Sequence, residues 1–239
     1  MHKTLVVICF LLAVGGVIAV SNDPLSAYLN NKGFDAYVSG DNSRALQLYS
    51  AGYALDLDRD DGIIAYNLGR LHEDNQDLSR ARKFYEIALE RDAFPGFWGA
   101  ARVHYTLENY DIADFFLNTA LIELGDDFEP TTKEESYHVY YLSGMKGVVL
   151  EKSDPAEALE YLEIAFALES NLNSYEREEG RVYREAEFHC VAAKLYESQS
   201  QGKALEQWEE CLRLLPSSLT ARGREYKERA QKALNEPQQ

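Results

Sequence analysis

The chain has 239 residues, which suits one or two ordinary domains or one short repeat array. Its apolar fraction of 46%, with 16 Tyr and 10 Phe, excludes a disordered chain. Forty acidic against 24 basic residues give a net charge of −16, which argues against nucleic acid or an anionic membrane as partner and suits cationic segments of another protein.

The first residues differ from the rest. Lys3 precedes an uncharged apolar run from Leu5 to Val20, shorter than the roughly 20 residues of a spanning helix. Small residues follow at Val17, Ala19 and Ser21, and Pro24 breaks the pattern. This predicts a secretory signal peptide over residues 1–21, cleaved after Ala19 or after Ser21. The mature chain is then exported, periplasmic or secreted, and does not span a membrane; the alternative is an uncleaved N-terminal anchor. Cys9 lies inside the apolar run rather than after it, which argues against a lipid anchor there.

Beyond the leader, one phrase recurs five times. An Ala is followed four residues on by a large side chain, three later by a small one, then by an apolar one. The copies are Ala45-Tyr49-Gly52-Tyr53, Ala81-Tyr85-Ala88-Leu89, Ala113-Leu117-Ala120-Leu121, Ala158-Leu162-Ala165-Phe166 and Ala204-Trp208-Cys211-Leu212. These offsets place the residues on one helical face, with small residues where another helix approaches closely. A second amphipathic segment lies upstream of each copy, with Gly33, Gly69, Ala101, Gly144 and Ala192 leading to the respective alanines. Gly40-Asp41 marks the turn in the first unit, and Ser153-Asp154-Pro155 starts the second helix of the fourth, with Pro in a first turn after an Asp cap. Each unit is helix, short turn, helix, and such a unit buries its apolar face only by stacking on neighbours.

With Leu68-Gly69, Ala81, Tyr85, Ala88, Leu89 and Pro216 in these positions, the chain resembles the tetratricopeptide repeat, a helix-turn-helix of about 34 residues. The resemblance covers about residues 25–216. It implies an all-α, right-handed superhelical solenoid of five repeats with a C-terminal capping helix. The repeat alanines are 36, 32, 45 and 46 residues apart, so the second half of the array differs from the first. The expected division is residues 22–125 for repeats one to three, 126–216 for repeats four and five, and 217–239 for the capping helix and tail. Thr132-Lys133-Glu134-Glu135 reads as a capping box, and Asn173 to Glu176 as a weaker start. They predict long first helices over about Lys133–Lys152 and Ser174–Gln199. The linker Gly125–Thr131, with Pro130, is the candidate bend.

Cys190 and Cys211 lie about a turn near Ser200 and Gln201, level on two antiparallel helices. Export makes a disulfide accessible, but level does not mean facing. Cys211 fills the small position of the repeat, so burial as a free thiol accounts for it without a bridge; both alternatives stay open. After Pro216, Ser217 and Ser218 would cap a last helix over Leu219–Leu234. Its apolar stripe is Leu219, Tyr226, Ala230, Ala233 and Leu234. Its other faces carry Arg222, Arg224, Lys227, Arg229 and Lys232 against Glu225 and Glu228, a polar outside that keeps a repeat stack soluble. Glu236–Gln239 reads as a frayed tail.

No catalytic constellation is visible. His72-Glu73 resembles the start of a zinc-protease helix, but Gln76 stands where the second His is required. His104, His138 and His189 lack ligand-spaced partners, and no phosphate loop or nucleophile elbow appears. The acid-rich Asp56–Asp61 lacks the Gly and final Glu of a calcium loop. No cofactor or metal is expected, and the chain reads as a binding protein rather than an enzyme.

The resemblance implies that the first helices line a concave groove facing a peptide or protein partner. Mapped by helical phase, the groove residues are Asn30, Phe34 and Tyr37, then Ile63, Tyr66, Arg70 and Glu73, then Trp98, Arg102 and Tyr105, then Tyr141, Met145 and Val148, then His189, Tyr196 and Glu197. Tyr, Trp and Arg dominate binding hot spots, and the pair Arg70 and Arg102 suits an acidic group on a peptide. The competing reading packs these aromatics between repeats and pairs Arg70 with Glu73 or Asp74. Repeats that grip acidic chaperone tails carry several Lys and Asn on these helices. Here Phe34, Pro95 and Gly99 occupy such sites and only Asn67 matches, so that function is not expected. Two alternatives are a structural subunit binding through the ends of the stack, and an enzyme or small-ligand receptor with its site in the groove.

Overall fold

The computed structural model describes residues 23–55, 62–125, 129–169, 171–172, 185–215 and 221–235. The expected signal peptide, the acid-rich Asp56–Asp61, residues 126–128 of the linker, the start at Asn173–Glu176, Pro216 with its two serines, and the tail Glu236–Gln239 lie outside them. Among the described residues there are eleven helices and no strand. They are α1 (Asp23–Val38), α2 (Asn42–Leu55), α3 (Gly62–Asp74), α4 (Leu78–Glu90), α5 (Gly96–Thr106) and α6 (Tyr110–Leu124). α7 (Lys133–Leu150), α8 (Pro155–Ala167), α9 (Ala186–Tyr196), α10 (Gln201–Leu214) and α11 (Ala221–Asn235) follow. None is long and apolar enough to cross a membrane.

The repeated phrase is the packing code. All five alanines are buried, as are the large residues Tyr49, Tyr85, Leu117, Leu162 and Trp208 and the small ones Gly52, Ala88, Ala120, Ala165 and Cys211. The closing apolar residues Tyr53, Leu89, Leu121, Phe166 and Leu212 are half-buried. The chain divides into two compact units, residues 1–99 and 100–239, with the boundary inside α5.

In the first unit α1 packs on α2, α2 on α3, and α3 on α4. Ala36, Ala45, Tyr49, Ile64, Leu68 and Leu71 form its core, with Phe34, Tyr37 and Phe84 against it. The Tyr85 ring is clasped between two glycines. A Cβ on Gly69 would lie 2.6 Å from the ring, and one on Gly99 would lie 2.4 Å from it, so no other residue fits without displacement. The Asp77 side chain caps α4 by accepting from the Arg80 amide.

In the second unit α6 packs on α7, α7 on α8, α9 on α7, α8 and α10, and α10 on α11. The capping box is formed as expected: Thr132 Oγ1 accepts from the Glu135 amide at 3.1 Å, and Glu135 Oε2 accepts from the Thr132 amide at 3.0 Å. Asp154 caps α8, with Pro155 in its first turn. Lys146 is buried and pairs with Asp114.

One expectation is corrected here, and one open alternative is decided. The continuous helix over Ser174–Gln199 is not formed, because Glu185 is extended (φ −98°, ψ 117°) and its amide donates to Tyr140 Oη at 3.0 Å. That bond anchors the chain on α7, and α9 starts only at Ala186. Cys211 is also more than a small packing residue: its Cα lies 5.0 Å from that of Cys190, and the two form a disulfide joining α9 to α10. Facing, which helical phase left open, is met because both cysteines are fully buried in the seam between these helices.

Candidate functional site

In the first unit, α1, α3 and the start of α5 carry the predicted groove residues, and side chains a repeat apart meet there. Asn67 Nδ2 donates to Asn30 Oδ1 at 2.9 Å, so the one Asn shared with the chaperone-binding pattern serves between helices. The Arg70 guanidinium lies 5.1 Å over the Tyr37 ring and donates to Tyr37 Oη at 3.2 Å. Tyr37 Oη in turn donates to Asp74 at 2.9 Å. Glu73 accepts from Tyr85 Oη at 2.6 Å. Trp98 Nε1 donates to Tyr66 Oη at 2.9 Å, with the rings edge to face at 6.1 Å.

The second unit repeats one of these arrangements. The Arg102 guanidinium lies 5.8 Å from the Tyr141 ring, and Arg102 donates to Tyr141 Oη. Tyr105 Oη donates to Glu187 at 3.3 Å, and Tyr196 Oη donates to Glu163. His189 stacks on Phe166 at 4.7 Å and its Nδ1 lies 2.8 Å from Gln207 Oε1. Its Nε2 is 2.8 Å from Glu169 Oε1, out of line for a hydrogen bond.

Burial sorts the thirteen principal candidates. Asn30, Phe34, Tyr37, Arg70, Glu73, Arg102 and Tyr105 are half-buried and reachable. Tyr66, Trp98, Tyr141, Met145, His189 and Tyr196 are buried. His189 is enclosed by residues of α8, α10 and the segment after α8. Of the flanking positions, Ile63 is exposed and Val148 buried.

The structure adds a cluster that phase mapping did not assemble. Arg222, in the first turn of α11, donates through Nη2 to Glu151 Oε2 at 3.0 Å and through Nε to Tyr226 Oη at 2.7 Å, and its Nε lies at ion-pair distance, 2.9 Å, from Glu187 Oε1. Its guanidinium lies 5.1 Å from the Tyr105 ring and 5.4 Å from that of Tyr226. Lys194 pairs with the other oxygen of Glu151. Burial beside Glu185 and Glu151 pushes Glu187 up to about 7. Arg222 lies 2.9 Å from this carboxyl, and 34% of the Glu187 side chain is open to solvent. Further along α11, Arg229 forms a bidentate pair with Glu197, which also accepts from Trp208 Nε1 at 3.1 Å. Burial alone would raise the Glu197 carboxyl; bonds and charge from Arg229 outweigh it and hold the group below the usual range. The last helix is thus tied to the repeats by ion pairs as well as by its apolar stripe.

Stacked helix pairs, alanines in their seams and large rings in glycine notches decide the architecture. The chain has the tetratricopeptide-repeat fold. Solved structures agree. A thermophilic tetratricopeptide-repeat protein of Thermus thermophilus matches 87% of this chain and 98% of its own, at 19% identity and TM-score 0.55. PilF of Pseudomonas aeruginosa matches 88% of this chain and 84% of its own, at 18% identity and TM-score 0.61. The Cut9-Hcn1 hetero-tetramer of the APC/C gives TM-score 0.62 at 15% identity, over 87% of this chain and 37% of that one. No family model matches the sequence. A search of curated proteins finds no match.

Within the tetratricopeptide-repeat frame, part of the missed cluster was within reach. Glu151 lies three residues after Val148, so one more turn on the same face leads to it. Glu187 precedes His189 by two positions, off the mapped face, and Arg222 belongs to a helix outside the repeat period. No spacing rule connects them.

Proposed function

We propose that this chain is a non-catalytic scaffold that binds a peptide or protein segment on the face of its first helices, outside the cytoplasm. The observation that carries the reading is that in each unit an Arg of one first helix lies over a Tyr of another, Arg70 on Tyr37 and Arg102 on Tyr141. A guanidinium already stacked on a ring loses little freedom when it clamps a carboxylate, which makes it an effective anchor for an acidic side chain. Asn30, Phe34 and Glu73 in the first unit and Tyr105 in the second are half-buried as well and would supply mixed polar and aromatic contact. The fold supports the scaffold reading, and one solved structure that shares it is a hetero-tetramer, Cut9-Hcn1 of the APC/C. Export is supported by the apolar run Leu5–Val20 and by the Cys190–Cys211 disulfide, a bond that persists in oxidising compartments. An envelope or periplasmic assembly is the setting that fits both.

The test is selection of a random peptide library on the full chain, followed by binding of the selected peptides to Arg70→Ala and Arg102→Ala. At least one substitution is expected to weaken them tenfold or more, about 1.4 kcal/mol, with the helical signal and melting retained. Peptides that bind both variants as tightly as the parent would place the site elsewhere. Trp98→Ala is unsuitable here, because Trp98 is 2% exposed and its loss acts on packing.

A further inference from the structure

The cluster around Arg222 has the composition of a recognition site for a guanidinium. Its fixed walls come from three first-helix segments of the second unit. Tyr105 of α5 offers a ring face at 5.1 Å, Glu151 at the end of α7 one carboxylate oxygen at 3.0 Å, and Glu187 of α9 another at 2.9 Å. Lys194 holds the second oxygen of Glu151, and the Tyr105 hydroxyl bonds Glu187, so both carboxylates are oriented before any guanidinium arrives. Two carboxylates and a ring are the partners that a planar guanidinium takes and an ammonium uses less well. The occupant is not sealed in, since the Arg222 side chain is 36% exposed. Beside it lies a cavity of about 60 Å³, lined by Tyr105, Tyr110, Val148, Glu151, Lys152 and Arg222 among others. A side chain can therefore approach the cage while Arg222 still fills it.

We propose that this cage receives an arginine of a partner segment, and that Arg222 of α11 occupies it in cis as a tethered competitor. The proposal rests on the first-helix face being the binding surface and adds to it the chemistry of the partner. An acidic residue meets Arg102, and an arginine enters the cage one helical turn along α5, beside Tyr105. The net charge of −16 attracts a cationic segment, and that segment displaces the chain's own five-base helix once it brings more contacts.

The experiment uses the full chain with Arg222→Ala and, as probe, N-acetyl-arginine methylamide, with the lysine analogue as control, followed by calorimetric titration. Arg222→Ala is expected to bind the arginine probe at least tenfold more tightly than the parent chain and than it binds the lysine analogue. Adding Glu187→Gln should abolish the gain. A folded Arg222→Ala that binds the arginine probe no better than the parent overturns the proposal and leaves the cage as an anchor for α11. If circular dichroism shows Arg222→Ala unfolded, Arg222→Gln, which keeps the stem, is held to the same criterion; unfolding of both also marks the cage as an anchor. Concentration-dependent dimers of the parent chain that vanish in the variant would instead make the competitor's target a second copy, which also overturns it. Library peptides that bind while the arginine probe does not would defeat this inference and leave the scaffold reading standing. The reverse result would defeat the scaffold reading, and with it the partner segment on which this inference rests.

Discussion

At the scale of the residue, the side chains that announce the fold are those with the least to do with binding. Tyr85 shows why. Its ring lies where Gly69 and Gly99 have no Cβ, and the space left is smaller than a methyl group. Gly69→Ala should therefore cost about 1–3 kcal/mol in denaturant unfolding, as overpacking does. An unchanged midpoint would mean the notch yields without strain. Helical phase identified such residues because packing repeats with the helix. It was less able to say which first-helix side chains stay open. Trp98 and Tyr141 carry large rings, and large rings on a repeat face close onto the neighbouring pair: Trp98 onto Tyr66, and Tyr141 onto Phe188. Arg70 and Arg102 end in charges that burial penalises, so they keep one side toward water.

At the scale of the element, helix starts were legible where a cap carries the signal, as at Thr132 and Asp154. They were not legible where a tertiary bond decides. Glu185 is held extended by Tyr140 from another helix, and no local pattern marks it. The disulfide is a similar case, since one face pattern serves a thiol and a half-cystine alike. It closes a sequence separation of 21 residues, for which loop entropy gives about 3 kcal/mol. Adding reductant, or replacing both cysteines by Ala, should lower the unfolding free energy by that order, and coincident curves with and without reductant would contradict the bond. The docking of α11 carries a pH signature. Glu197 is held below its ordinary 4.5, so its contribution is fully present above that value and is lost as pH falls through its lower folded value. The parent chain should lose stability below about pH 4.5 more steeply than Arg229→Gln, which lacks the partner. Parallel acid curves for the two would show that this pair contributes nothing.

At the scale of the whole molecule, five in-phase copies of one phrase sufficed to name an all-helical repeat architecture, because each copy repeats the same burial problem and the same solution. The uneven spacing signalled a second half unlike the first, and there the disulfide, the extended Glu185 and the charged last helix are found. Function was less legible. It depends on which polar groups of separate helices converge, and Tyr105, Glu151, Glu187 and Arg222 share no sequence period. The central claim is that the first-helix face, with its stacked arginines, holds a peptide. Its most direct test is the calorimetric affinity of one selected peptide for the parent chain, for Arg70→Ala and for Arg102→Ala, with melting recorded alongside. At least one variant is expected to bind tenfold more weakly or worse at a retained melting temperature; equal affinity for all three folded proteins would contradict the claim.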